Sequence, residues 1–163
     1  MDKTGTMGNM EFSACNSFAC TVPEAFAMLT DTEFLRRVAA ASNPISHSVV
    51  VDGNHTKTER TLASVPPASA FTGPEVSLIE QVAWDEPSGP QRTGLASVEL
   101  AGLPLSLEGT VCLRPEEQGC VLEYTGELTV AIPVLGKKLE TVAAPLLLRG
   151  IDFQQQVADA WLA

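Results

Sequence analysis

Basic residues are scarce in this sequence of 163 residues. Lys and Arg together number 10 against 20 Asp and Glu, which gives a formal net charge of −10. Because nucleic-acid phosphates and anionic lipid headgroups attract basic surfaces, this balance argues against either as a partner. The composition also excludes an intrinsically disordered chain, since 45% of the residues are hydrophobic and only 18% are charged.

The sequence has no long apolar run. Its most apolar stretch, residues 142–148, contains Pro145, whereas a membrane-spanning helix needs about 20 apolar residues. The N-terminus carries Asp2 where a secretory signal has basic residues, and no apolar segment follows it. We therefore expect a cytoplasmic protein with no stable membrane insertion. Residues 1–10 are predicted to be a flexible lead-in, and residues 11–163 a single domain.

Side chains that bind metals or act as nucleophiles are few. The four cysteines form no C-x-x-C pair, and His47 and His55 have no acidic neighbour at a spacing that suits a shared metal. The nucleophile-elbow, S-x-x-K, H-E-x-x-H and P-loop motifs are all missing. We therefore predict no metal and no cofactor, and we assign no catalytic residue.

The N-terminal part predicts one strand followed by two short helices. Residues 11–20 alternate between apolar and polar side chains, which is typical of a strand. Two capping-box patterns follow, Thr21 to Glu24 and Thr30 to Glu33, and each predicts the start of a helix. Pro44 ends the second helix, because the residue before a proline avoids helical backbone angles.

The centre of the chain is predicted to be rich in β-strands. Alternating residues at 45–51 and 56–63 flank Asp52-Gly53-Asn54, and Asp-Gly between two such runs is a strong hairpin signal. Apolar alternation predicts four more strands, at 76–84, 93–101, 105–114 and 120–132. The last of these alternates most clearly, which indicates an antiparallel strand with one face in the core and the other in water.

A long amphipathic helix is predicted over residues 137–161. Its apolar stripe has steps of three and four residues, and Pro145 is expected to kink the helix. A helix with one apolar stripe needs an apolar sheet face to cover. We therefore predict an α+β fold of order β-α-α-β-β-β-β-β-β-α, with a curved antiparallel sheet of about six or seven strands wrapped on the C-terminal helix. The stripe consists of Leu139, Val142, Leu146, Gly150, Phe153, Val157 and Trp161.

Several segments carry a family resemblance that covers about residues 10–163. They are residues 23–29, residues 31–34, Trp84 at the end of its strand, residues 126–136 with the following Lys138-Leu-Glu140, and the terminal Trp161-Leu162. With the order of elements, these segments resemble the START-like superfamily, also called helix-grip or SRPBCC, which includes lipid-transfer domains and polyketide cyclases. More narrowly, the sequence is similar to an uncharacterised domain-of-unknown-function family found mostly in actinobacteria. Pro145 departs from that pattern.

This resemblance implies a cavity between the concave sheet and the long helix. Members of the superfamily hold apolar or amphipathic molecules there and share no set of catalytic residues. The resemblance therefore implies binding, transport or sensing of a small hydrophobic or amphipathic ligand, lipids included, by a monomer or weak homodimer. Two alternatives stay open: an enzyme of the polyketide cyclase or dehydratase type, and a packed protein-interaction module with no ligand.

Glu80 is the most informative polar residue, because it shares a strand face with Trp84 and other apolar side chains. Arg60, on another strand, could pair with it and orient the polar end of a ligand or act with it in acid–base chemistry. Alternatively, either residue lies at a strand end or on the outer face. Tyr124 either places its hydroxyl in the cavity or bonds to the backbone within the core, and Asn16 is a similar inward candidate. The full set of predicted cavity-lining residues is Arg60, Leu78, Glu80, Trp84, Leu122, Tyr124, Leu128, Leu146, Gly150 and Phe153.

Overall fold

A computed structural model describes residues 8–64, 66, 69–101, 105–130 and 136–163. Seven strands and four helices lie within these ranges. In chain order they are β1 (Gly8–Phe18), α1 (Val22–Leu29), α2 (Thr32–Ala41), β2 (Ser46–Asp52), β3 (His55–Ala63), α3 (Ser69–Thr72), β4 (Glu75–Trp84), β5 (Arg92–Ala101), β6 (Leu105–Glu116), β7 (Gly119–Val130) and α4 (Gly136–Leu162).

The strands form one antiparallel sheet in the order β1-β7-β6-β5-β4-β3-β2. Strands β2 to β7 each pair with the next strand in sequence, and β1 closes on the last strand, β7. Helix α4 packs against β1 and α2, and α2 also contacts β2 and β3. This architecture confirms the predicted α+β helix-grip fold. The unpredicted helix α3 is a single turn between β3 and β4.

The hairpin predicted at Asp52-Gly53-Asn54 is confirmed. Asp52 pairs with His55, and Gly53 supplies the positive φ, +60°, that the turn requires.

At the other end of the sheet, residues 8–10 belong to β1 and pair with β7, although we predicted them to lie in the lead-in. Backbone pairing needs no apolar side chains, so the polar composition of this segment concealed its strand. The predicted strand residues 131–132 lie outside the described residues.

The two N-terminal helices begin as the capping patterns indicate, with one correction. At α1 the predicted box is present: Glu24 N donates to Thr21 Oγ1 (3.3 Å), and Thr21 N donates to Glu24 Oε1 (2.9 Å). The box predicted at Thr30 is wrong. Helix α2 is capped instead by Asp31, whose Oδ1 accepts from Glu33 N (2.8 Å) and from Phe34 N (3.1 Å). Thr30 ends α1, where its hydroxyl donates to the carbonyl of residue 26.

Helix α4 is continuous through Pro145, but it is rotated relative to the predicted stripe. Its buried residues are Ala143, Leu147 and Ala158, whereas Leu146, Phe153 and Val157 are only half-buried. The prediction followed large apolar residues alone. The helix instead turns small alanines and the polar Gln154 inward, because Gln154 finds partners on the sheet. Residues 136–142 of α4 have no described side chains, so Leu139 and Val142 lie outside this comparison.

The core has two parts, one on each side of a polar centre. One part lies under α1 and α2 and includes Phe34, Trp84 and Leu122. The other lies under the first half of α4 and includes Leu78 and Leu128. Within the described part of the chain, no helix has the length and apolar character needed to cross a membrane.

Candidate functional site

A cavity of about 120 Å³ lies between the sheet and helices α2 and α4. Helix α2 supplies Leu35, Val38 and Ala39 to its wall, and the lining is mostly apolar. Among the described lining residues, Arg60 and Glu80 are the charged ones. The remaining lining residues are Phe12, Thr56, Thr58, Gln81, Val82, Ala96, Ser97, Val98, Leu107, Tyr124, Leu147, Gly150, Ile151 and Gln154.

Gly126, Gly109 and Ala96 stand side by side on strands β7, β6 and β5, and Ala96 lines the cavity. Register pairs Gly126 of β7 with Gly109 of β6, and Gly109 with Ala96 of β5. The row begins at Phe12 on β1, which lines one side of the cavity. The two glycines also allow a close backbone approach, because a Cβ on Gly109 would collide with the carbonyl oxygen of Thr125.

Arg60 and Glu80 form an ion pair on the cavity wall. Arg60 Nη2 lies 3.0 Å from Glu80 Oε2, and the side chains are 4% and 35% exposed respectively. They come from neighbouring strands, since Thr58 of β3 stands opposite Glu80 of β4 and Arg60 is two residues further along. Strand alternation therefore puts both side chains on the inner face rather than the outer one. Arg60 Nε is buried and has no hydrogen-bond partner among the described residues.

A second polar group links β1, β7 and α4. Gln154 Nε2 donates to Asn16 Oδ1 (2.8 Å) and to the Tyr124 hydroxyl oxygen (2.7 Å). Asn16 is 2% exposed, and its Nδ2 donates to Ile151 O and to Gln155 Oε1, both at 3.1 Å. The Tyr124 hydroxyl thus bonds to a side chain from α4, which differs from the backbone-bonded alternative.

The Tyr124 hydroxyl is un-ionised at neutral pH. Burial raises the pKa of Tyr124 to about 12; the hydrogen bond from Gln154 opposes this rise, and the negative charge of Glu80 adds to it. Its oxygen accepts from Gln154, so its own proton is available for donation to a different acceptor. The site therefore combines a neutral hydroxyl donor with a charge-balanced ion pair.

The structure brings only part of the predicted residue set to the cavity. Arg60, Glu80, Tyr124 and Gly150 line it, and their role in ligand binding stays a prediction. The others do not line it: Trp84 and Leu122 belong to the core part under α1 and α2, Leu78, Leu128 and Leu146 to the part under α4, and Phe153 is half-buried outside both.

The position of a residue along its strand explains why most of these predicted residues do not line the cavity. Alternation puts Trp84 on the correct face, but it lies at the end of β4, where it packs edge-on against Phe26 with ring centroids 5.4 Å apart. Leu122 and Leu128 similarly lie on the inner face of β7, on either side of the stretch that borders the cavity. Phe153 was misplaced because α4 is rotated and presents Gln154 instead.

Sequence reasoning also missed residues that do line the cavity. Thr56 and Thr58 alternate with Arg60 along β3 and are buried, so the period of the strand was a usable signal. The sequence signal for the α2 residues is weaker: this helix is amphipathic, so its apolar face has to pack against another part of the protein. No sequence signal predicts Gln154 in the cavity wall, because a glutamine on a helix ordinarily faces solvent.

The described residues hold no cluster of three or more His, Cys, Asp or Glu side chains suited to a metal ion. The two histidines lie on β2 and β3, and both are exposed. Neither contributes to the cavity.

A family model described as a protein of unknown function, DUF2505, matches residues 14–162. The chain belongs to this family. No curated protein matches the sequence. This match confirms the narrower predicted resemblance, to a domain family of unknown function.

Solved structures share the fold at low sequence identity. Norcoclaurine synthase from Thalictrum flavum, in complex with dopamine and hydroxybenzaldehyde, has a TM-score of 0.62 at 14% identity over 96% of this chain and 88% of that one. TTHA0849 from Thermus thermophilus has a TM-score of 0.62 at 17% identity, covering 94% and 97%. Protein Ms6760 from Mycobacterium smegmatis has a TM-score of 0.58 at 15% identity, covering 93% and 90%. These likenesses are consistent with the START-like superfamily and concern the fold alone.

Proposed function

We propose that this DUF2505 domain binds a small amphipathic molecule in the cavity between the sheet, α2 and α4. The observation that carries the proposal is a mostly apolar cavity with a buried polar wall, where Arg60 Nε lacks a partner within the described part of the chain. Ligand sites generally have this composition, with an apolar lining and a few polar groups that fix the orientation of the ligand.

The cavity volume limits the ligand to about the size of one ring. The cavity measures about 120 Å³, and an apolar cavity of roughly 150 Å³ holds one benzene molecule. Norcoclaurine synthase, which shares the fold, was solved with dopamine and hydroxybenzaldehyde, each of which has a single ring. That complex supports a ligand of this size here.

A packed interaction module accounts less well for the site. Such a module has no reason to leave a cavity beside a buried guanidinium, because the unsatisfied donor and the void both reduce stability. A ligand with an apolar body and a polar end removes both penalties. Lipid binding, a cytoplasmic location, an actinobacterial origin and a monomeric or weakly dimeric state stay predictions.

Filling the cavity from its floor should abolish ligand binding. Ala96 lies on the inner face of β5 at the cavity wall, whereas Ala83 is exposed on β4. With a one-ring compound such as phenol at ten times its Kd, wild type and Ala83→Leu should gain about 1.4 kcal/mol in free energy of unfolding. Ala96→Leu should gain nothing, because its side chain occupies the space.

Thermal unfolding with and without the compound measures this difference, and circular dichroism of each variant checks the fold. Native mass spectrometry of the protein purified from its own host tests the natural ligand directly. Stabilisation of Ala96→Leu equal to that of wild type contradicts binding in this cavity. A stoichiometric small molecule retained by wild type but absent from Ala96→Leu supports it.

Acid–base catalysis is a second candidate, favoured by the convergence of Glu80 and Tyr124 on one cavity. A carboxylate beside a neutral hydroxyl donor is suited to removing a proton next to a carbonyl while the carbonyl oxygen is hydrogen-bonded. Under this candidate, the protein accelerates the exchange of the methyl protons of acetophenone for deuterium in D2O, which proton NMR measures. The Glu80→Gln variant should not accelerate this exchange. A rate equal to that of buffer leaves binding as the function.

A further inference from the structure

We propose that the polar end of the ligand is an uncharged oxygen group, a carbonyl or a hydroxyl, held beside Gly150 as a hydrogen-bond acceptor for Arg60. This inference rests on the proposed binding function and adds the chemical class and the position of the ligand's polar group. Three independent features of the cavity carry it: its charge balance, its unpaired donor and its glycine.

The charge balance excludes ionic ligands. Arg60 and Glu80, the charged groups among the described lining residues, neutralise each other at 3.0 Å. A carboxylate placed against Arg60 would also lie near the carboxylate of Glu80. An ammonium placed against Glu80 would lie near the guanidinium. Either ion would lose its hydration without gaining an unshared countercharge, which is costly in a buried site.

The unpaired donor requires an acceptor. Arg60 is 4% exposed, and no described residue accepts a hydrogen bond from its Nε. Leaving a buried charged donor unsatisfied is expensive, so a ligand oxygen that accepts from Nε gains the energy of that missing bond. Tyr124 supplies a second donor on the same cavity wall, because its oxygen already accepts from Gln154. A carbonyl or hydroxyl oxygen, with two lone pairs, suits two donors.

Gly150 marks the position of this oxygen. A Cβ there would lie 3.7 Å from Arg60 Nη2 and 3.9 Å from Glu80 Oε2, which are ordinary van der Waals distances. The fold therefore does not require glycine at this point in α4, and alanine would stabilise the helix. Glycine leaves the volume of about one methyl group unfilled beside Arg60 Nη2 and Glu80 Oε2, and we place the ligand oxygen at this end of the cavity.

Four compounds with one ring each separate the possibilities: phenol, toluene, benzoate and benzylammonium. Their affinities can be compared by NMR titration of the labelled protein at neutral pH. A single ordinary hydrogen bond corresponds to a roughly two- to tenfold preference, so phenol, whose oxygen meets two donors, should bind at least that much more tightly than toluene. Benzoate and benzylammonium should both bind more weakly than toluene, because the site has no unshared countercharge for either ion.

Variants at Gly150 test the position of the oxygen. Gly150→Ala should raise the thermal midpoint while reducing the preference for phenol over toluene, and Gly150→Val should abolish that preference. Leu148→Ala, on the exposed side of the same helix, should leave the affinities unchanged. This control separates a local effect at the ion pair from a general effect on α4.

The outcomes distinguish the inference from the proposed function. If toluene and phenol bind equally and Ala96→Leu blocks both, the cavity binds ligands but the oxygen assignment is wrong. Benzoate binding more tightly than phenol would show that Arg60 selects an anion, which also overturns the assignment. If none of the four compounds shifts any cavity resonance at millimolar concentration, the proposed function fails and the assignment fails with it.

Discussion

Gly109→Ala should cost about 3 kcal/mol in free energy of unfolding, at the upper end of the usual penalty for overpacking a core. Gly109 stands directly opposite Gly126 in the β6–β7 pair. A Cβ at Gly109 would collide with the carbonyl oxygen of Thr125 and with the Cα of Gly126. Both obstacles are backbone atoms, so no side-chain rotation relieves the clash and the two strands have to separate.

Urea unfolding followed by circular dichroism measures this loss, which corresponds to roughly 6–12 °C in the thermal midpoint for a domain of this size. Gly150→Ala is the matched control, since it makes the same chemical change where the new Cβ meets only van der Waals contacts. It should raise stability by about 0.5–1 kcal/mol, the difference between glycine and alanine within a helix. A loss below about 1 kcal/mol for Gly109→Ala, within the range of ordinary point mutations, would show that the strand pair accommodates a side chain.

Glu80→Ala should destabilise the protein by about 3 kcal/mol, because it leaves a buried guanidinium without its countercharge. Arg60 is 4% exposed and already has one unpaired donor, Nε. Removing Glu80 would also take away the partner of Nη2, which lies 3.0 Å from Oε2. Arg60→Met should cost less, since Glu80 is 35% exposed and water can solvate the carboxylate that remains.

Two comparisons make this prediction specific to the buried pair. The double variant Arg60→Met with Glu80→Leu should recover most of the loss, because apolar replacement of both partners removes the uncompensated charge. Glu123→Ala breaks an ion pair of similar geometry, Arg114 Nη1 to Glu123 Oε1 at 2.7 Å, but both of its side chains are well exposed. It should change stability little. Equal losses for Glu80→Ala and Glu123→Ala would contradict a stabilising role for the buried pair.

Local patterns were sufficient for the element order and for much of the sheet. The shared face of Glu80 and Trp84 on β4, the hairpin at Gly53 and the capping box of α1 all follow from periodicities and turn chemistry that act over a few residues. The β4 pattern also put Glu80 on the face that proved to border the cavity. Where local signals competed, as at Thr30 and Asp31, the pattern selected the wrong capping residue.

The site depended on relations between distant parts of the chain. Whether Arg60 faces the cavity or solvent was undecided from sequence, since its strand is polar on both faces and only pairing with β4 fixes its neighbour. The rotation of α4 was misjudged because Gln154 gains its inward position from Asn16 and Tyr124, which are separated from it by 138 and 30 residues. No helical periodicity contains that information.

The sequence alone therefore determined most of the secondary structure, though not α3 or the first residues of β1, and it determined the antiparallel succession of strands and the long helix over the sheet. Hydrophobic periodicity and turn residues carry this information because they act locally. Only the tertiary structure decided which inward side chains pack together and which border open space. That choice depends on the register between neighbouring strands, which sets Thr58 opposite Glu80, and on how α4 packs against β1. Both are long-range outcomes, and together they place the Arg60–Glu80 pair at the wall of a cavity the size of one ring.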